Sequence, residues 1–286
     1  MDCRICEMCK KGAGRERSSI IQEKEQNVIS KSVELDLEEK KASAFLAFKL
    51  DPKENLASNR PSSLKRMFNV LSKYEKEPET LKSIIAAFAK LRDNGHMAFL
   101  KDLSPEQQQM LLDAEVAYYF PWDISFKQES KSTPARPCFD ASATTASGNS
   151  LNDLLAIGDP DLAVLAQMLL EFTMGPTAMV SDIGQFYPSV HLKEKHWTFQ
   201  RVLLTEDLKT DGEVLEAIIM KLIFGVCCSG GQCEEMLRRL SEEAEGITKE
   251  VADMLLRHRY IDDFMKSVLN KQEAERLVRE VNEALA

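Results

Sequence analysis

The feature that most constrains this chain is the tetrad Tyr260-Ile261-Asp262-Asp263, two adjacent carboxylates between a short apolar-aromatic segment and the run Phe264–Val268. A tight hairpin puts both aspartates at its tip. On its own the tetrad reads as an Asp-rich surface turn, a common feature. Average composition yields a Tyr-x-Asp-Asp run by accident in roughly a few per cent of chains this long.

A second carboxylate lies upstream in Ser181-Asp182-Ile183-Gly184-Gln185-Phe186-Tyr187-Pro188-Ser189-Val190. Asp182 closes the apolar, β-branched run Thr177–Ile183, whose composition predicts a buried strand. A half-buried carboxylate there needs a partner. Alone, Asp182 reads first as a strand-terminating or helix-capping residue. Combined with the hairpin, it gives three carboxylates able to converge on two divalent cations. Two such ions about 4 Å apart activate a hydroxyl nucleophile and stabilise the departing oxygen. Hard oxygen ligands suit Mg²⁺ or Mn²⁺.

The rest of the chain supplies context. Residues 1–30 are polar, open with Cys3-x-x-Cys6-x-x-Cys9, and read as a poorly packed linker or tail. Tetrahedral zinc wants four ligands, and no fourth Cys or His lies near those three. Val33, Leu35 and Leu37 alternate with polar residues as a short strand does, with Ala44–Leu50 as its expected partner. From Ser62 to Ala117 the spacing turns helical: Leu64, Met67, Phe68 and Leu71, then Leu81, Ile84, Ile85 and Phe88. Asn94-Gly95 ends the second helix and Ser104-Pro105 opens a third. Residues 121–150 carry little helix signal. Asp159-Pro160 starts an apolar helix that Gly175-Pro176 breaks. Trp197–Leu204 reads as a strand, with Trp197 and Phe199 packing on one face, and Asp211-Gly212 turns into Val214–Ile223. Helices follow at Gln232–Ala244 and Lys249–Arg257, and the last begins at Asn270 with Glu273 three residues on.

With 44% hydrophobic residues in 286, the chain can bury one large core or two smaller ones. No apolar run spans a bilayer and the first residues lack a signal-peptide core, so an intracellular protein is expected. Seven unevenly spaced cysteines suit a reducing compartment. The net charge of −9 runs against nucleic-acid binding, which favours a basic stripe. The average hides a pattern. Acidic residues gather in Glu234–Glu245, while Lys127, Lys131 and Arg136 cluster near one proposed site. Cys227-Cys228 reads as a pair of small buried residues. The four histidines form no ligand spacing.

The motifs in order resemble reverse transcriptases of the BEL/Pao retrotransposon type. Asp182–Val190, with Tyr187 five residues past the aspartate, is similar to their first palm motif, and Tyr260–Asp263 to their Tyr-x-Asp-Asp motif. Between them, Phe224-Gly225-Val226-Cys227-Cys228-Ser229 is similar to the segment behind template and nucleotide. Arg136-Pro137-Cys138-Phe139-Asp140-Ala141-Ser142 resembles the fingers motif Arg-x-x-Phe-Asp-Ala-Ser. Ser147-Gly148-Asn149-Ser150-Leu151-Asn152-Asp153 follows it as in that branch. These last two distinguish BEL/Pao from other retroelements.

The resemblance implies an α+β fold, an antiparallel palm sheet with flanking helices preceded by fingers. It divides the chain into a polar segment 1–30, a mainly helical extension with the start of the fingers 31–120, and fingers with palm 121–286. It implies RNA-directed DNA polymerase activity, transferring nucleotides to a primer 3′-hydroxyl with two Mg²⁺ or Mn²⁺ ions. Asp182, Asp262 and Asp263 become the catalytic carboxylates, and Asp182, Ile183, Asp262 and Asp263 the metal positions. Tyr187 becomes the gate against a ribose 2′-hydroxyl, and Phe224 and Gly225 shape the nucleotide pocket. Arg136 grips the triphosphate bidentately, with Lys127 or Lys131 as a second phosphate contact. Implied partners are an RNA or DNA template-primer duplex, dNTPs and the remainder of a Gag-Pol polyprotein, in a cytoplasmic virus-like particle, with no membrane.

Three departures stand out. Gly230-Gly231-Gln232-Cys233 replaces proline and small apolar residues after Ser229, a change expected to loosen the helix start. Trp122-Asp123 stands where two histidines are common. The sequence ends soon after Asp263, so the primer grip, thumb, RNase H and integrase are missing. A truncated or co-opted non-catalytic fragment is therefore the alternative. An unrelated two-metal phosphoryl-transfer enzyme leaves Arg136–Asp153 unexplained.

Overall fold

The computed structural model describes residues 20–126, 135–158 and 165–285. Cys3, Cys6, Cys9, Lys127, Lys131, Ser132–Pro134 and the Asp159-Pro160 helix start lie outside them. The architecture is mixed α+β, with several small sheets among helices. Among the described residues no helix is long and apolar enough to cross a membrane.

The chain enters through the helix Ile20–Ser32, in a stretch expected to be a poorly packed linker or tail. Its polar composition misleads because it docks mostly through polar groups. Only Ile29 is buried as an apolar anchor, while Ser30 donates to Glu235 and Arg239 donates to the Ser30 carbonyl. Strands β1 (Val33–Asp36) and β2 (Lys41–Ala44) then form a hairpin. The partner of β1 is thus Lys41–Ala44 rather than Ala44–Leu50. Asp36 Oδ1 captures the N–H groups of Glu38 and Glu39, which closes the turn early and pulls the second strand forward.

The helices Arg60–Tyr74 and Pro78–Asp93 form where the three-and-four spacing places them, burying Met67, Leu71, Ile84 and Phe88. Ser104 and Gln107 make the reciprocal cap of the helix Pro105–Leu112. Strands β3 (Met97–Phe99), β4 (Tyr119–Phe120), β9 (Arg201–Thr205) and β10 (Val214–Ile219) build one sheet in the order β3-β10-β9-β4. Sequence on both sides of residue 120 therefore contributes to it. Between β4 and β9 in sequence come the hairpin β5 (Trp122–Phe126) with β6 (Ala135–Phe139), then β7 (Thr177–Asp182) and β8 (His191–Leu192). Trp122 is buried and its indole N–H donates to the Leu203 carbonyl at 2.9 Å.

Residues Glu194–Phe199 form a 3₁₀ segment instead of the strand expected from Trp197. Trp197, Thr198 and Phe199 are all buried, so the residue between the two aromatics is not on an open face and their alternation carries no strand information. A third sheet joins β7 to the hairpin of β11 (Arg259–Tyr260) and β12 (Asp263–Val268), with β12 in the middle. Strand β7 is not buried as expected. It lies at the sheet edge with only Met179 covered, and Val180 is 70% exposed. Met179, Phe264 and Val268 face the core while Val180, Asp182 and Asp263 look outward. The helices Cys228–Glu243, Lys249–Arg257 and Lys271–Leu285 complete the second half.

The helix behind the proposed nucleotide pocket is not loosened by its glycines. It starts at Cys228, and a Cβ on Gly231 would stand 2.6 Å from the Ile157 carbonyl oxygen. Glycine here lets a loop lie directly against the helix. Gln232, fully buried, donates to Ser32 and to the Phe45 carbonyl, pinning the same turn.

Candidate active site

Three backbone features assemble the carboxylates. Strand β7 ends on Asp182, and the hairpin returns the chain so that Asp263 is its direct antiparallel partner. Opposed residues of such a pair point to the same face with Cβ atoms roughly 5 Å apart. Asp262 occupies the turn, and its carbonyl accepts from the Ile183 N–H at 2.8 Å. The two-residue turn requires Ile261 at φ +60°, a left-handed conformation that costs a β-branched residue on the order of 1–2 kcal/mol. Such strain persists only where surrounding contacts hold it.

Arg259 supplies those contacts. Its side chain is 3% exposed and donates to the Ile261 carbonyl, to the Leu255 carbonyl at 3.0 Å and to both carboxylate oxygens of Glu234. The guanidinium also lies 5.4 Å from the Phe186 ring centre. It thus touches the turn, the Cys228–Glu243 helix and the segment following Asp182.

Among the described residues no cationic side chain pairs with Asp182, Asp262 or Asp263. Two carboxylates directly opposite each other without a counter-charge destabilise a sheet. Nor do three Asp, Glu, His or Cys side chains among the described residues gather at metal-ligating distance. The arrangement is a carboxylate pair with a third beside it, not a closed cage. That donor set still fits Mg²⁺, which keeps several waters and is usually held by one or two carboxylates plus substrate phosphates.

A second cluster adjoins the first. The rings of Tyr187 and Phe224 meet edge-to-face, 4.3 Å between centres, and Phe224 is 65% exposed. The Tyr187 hydroxyl lies 3.7 Å from the place a Cβ on Gly230 would occupy. Burial, followed by neighbouring groups that include Asp262, pushes the Tyr187 phenol up to about 12. Gly225 has φ +97°, and a Cβ there would lie 2.5 Å from the Phe139 carbonyl oxygen. No other residue fits that approach. Strand β6 thereby abuts the pocket, and Arg136 stands exposed on it without an ion pair to any described residue.

Asn152 joins these pieces, a role its motif did not announce. Its side-chain NH₂ donates to the Gly225 carbonyl and to Ser142, both at 2.9 Å, while its Oδ1 accepts from the Cys227 N–H at 2.9 Å. Its backbone N–H donates to Ala141. Ser150 and Asp153 cap the short helix Leu151–Leu154 that presents it. Asp140 is held by Arg66 at 2.7 Å and accepts from the Ser142 N–H, fixing the neighbouring turn. Arg66 sits far upstream, beyond the reach of motif reading.

A cleft of about 930 Å³ opens behind the end of β7, on the inward face that carries Met179, Ser181 and Phe264; Asp182 and Ile183 reach its rim, and Asp262 and Asp263 do not line it. Asp182, Ile183, Asp262 and Asp263 are thus brought together, as are Tyr187, Phe224 and Gly225 beside them. Arg136 lies three residues before Phe139 on β6 and on the other face of that strand, so it is not brought against Gly225. No protein-family model matches the chain, and no curated protein matches it.

Proposed function

We propose that this chain is the fingers-and-palm region of an RNA-directed DNA polymerase of the BEL/Pao retrotransposon type, adding nucleotides to a primer 3′-hydroxyl. The single observation that carries this reading is the register of Asp182 against Asp263, with Asp262 in the adjoining turn. Asp182 and Asp262 would hold two Mg²⁺ or Mn²⁺ ions, with Asp263 a weaker participant and Ile183 at the same position. Bound there, the ions supply Lewis-acid stabilisation and lower the pKa of the attacking hydroxyl. The outward face of β7 and β12 offers the reacting ends a surface on which no cationic side chain among the described residues pairs with the carboxylates. Tyr187, held protonated, narrows the pocket where a ribose 2′-hydroxyl would sit. Arg136, exposed on β6, would meet the triphosphate with its guanidinium.

A non-catalytic fragment is the second reading. It is favoured by the net charge of −9 and by the absence, among the described residues, of a closed three-ligand cluster. Primer extension on an RNA template separates the two. DNA product in Mg²⁺ or Mn²⁺ supports the polymerase, and no product with either ion supports the fragment.

A further inference from the structure

We infer that Arg259, held in place by Glu234, is the positioning residue of the carboxylate turn. This rests on the polymerase reading of Asp182, Asp262 and Asp263. Charge balance alone needs only the contact between Arg259 and Glu234. The guanidinium does more: it donates to the carbonyl of Ile261, the residue whose left-handed conformation aims Asp262. It also lies over Phe186, which sits between Asp182 and Tyr187. One buried fork therefore sets the hairpin tip relative to the strand that carries the opposing carboxylate. A lysine would keep the charge but not the fork, because an ammonium is a point charge on a flexible stem. Replacing both members by apolar residues of similar volume removes the clamp without stranding a buried charge.

The test uses Arg259→Lys and the double variant Arg259→Met with Glu234→Leu. Three quantities are read: Mn²⁺ affinity by electron paramagnetic resonance without nucleotide, kcat and KM in primer extension, and thermal unfolding. Groups that orient metal ligands typically cost about 10–100-fold in affinity or activity when removed. Both variants should unfold within a few degrees of the wild type, bind Mn²⁺ at least about tenfold more weakly, and lose kcat with KM for dNTP unchanged. Native Mn²⁺ affinity and kcat in the double variant would overturn the inference while leaving the polymerase reading intact. A loss confined to KM would overturn it too, by moving Arg259 into nucleotide binding. A wild-type chain that neither binds Mn²⁺ nor extends a primer would overturn the polymerase reading itself, and this inference with it.

Discussion

Asp182 and Asp263 stand directly opposite each other on adjacent antiparallel strands, with no cationic side chain among the described residues to separate their charges. Like charges so placed destabilise a sheet by a few tenths to about 1 kcal/mol. Asp263→Asn should therefore stabilise the metal-free protein by about 0.5 kcal/mol, read from urea unfolding at neutral pH and low salt. A loss of stability would mean that the pair is not repulsive.

Asn152 ties the Ala141-Ser142 turn to the Gly225–Cys227 segment through three side-chain hydrogen bonds. At about 1 kcal/mol each, their loss in Asn152→Ala should cost about 2–3 kcal/mol of stability. The KM for dNTP should rise more than kcat falls, because the pocket and not the carboxylates is disturbed. Steady-state kinetics beside denaturant unfolding checks both.

Tyr187 touches Phe224 and faces the open edge of Gly230. Trimming it to alanine should raise ribonucleotide incorporation relative to deoxynucleotide incorporation, as scored on sequencing gels. Unchanged discrimination would remove Tyr187 from the role of gate.

His196 gives a pH signature. Its Nδ1 accepts from the Leu46 N–H at 2.8 Å, and its ring packs against Phe45, Phe48 and Phe199. Burial, then nearby Lys195, holds its pKa at about 4, below the ordinary 6.5. The unfolded chain therefore binds this proton first as pH falls. Stability is full above pH 6.5 and is lost between 6.5 and about 4, by about 3 kcal/mol. His196→Gln, which keeps an acceptor but does not titrate, should flatten that part of the unfolding curve.

Much of this architecture is legible in sequence because local rules and tertiary packing agree. Met67, Leu71, Ile84 and Phe88 lie on helix faces by spacing alone, and Ser104 caps as its motif dictates. Asp182 and the Asp262-Asp263 turn are likewise found from pattern. Illegible features depend on partners distant in sequence. Glu234 and Glu235 belong to a run that looks like a solvated acidic face, yet Arg259, 25 residues on, and Ser30, 205 residues back, hydrogen-bond to them. Nothing in the sequence singles out Arg259, whose partners meet only when the fold wraps the turn around it. Exposure of β7 depends on its place at a sheet edge, which composition does not encode.

The most direct test of the central claim is RNA-templated primer extension by the wild type and by Asp182→Asn, in Mg²⁺ and in Mn²⁺. Metal stabilisation of several kcal/mol, at about 1.4 kcal/mol per tenfold, puts the expected loss near 10³-fold in the variant. The wild type should extend the primer, and Asp182→Asn should not do so detectably. Equal extension by the two proteins would contradict the assignment of Asp182 and, with it, the carboxylate site.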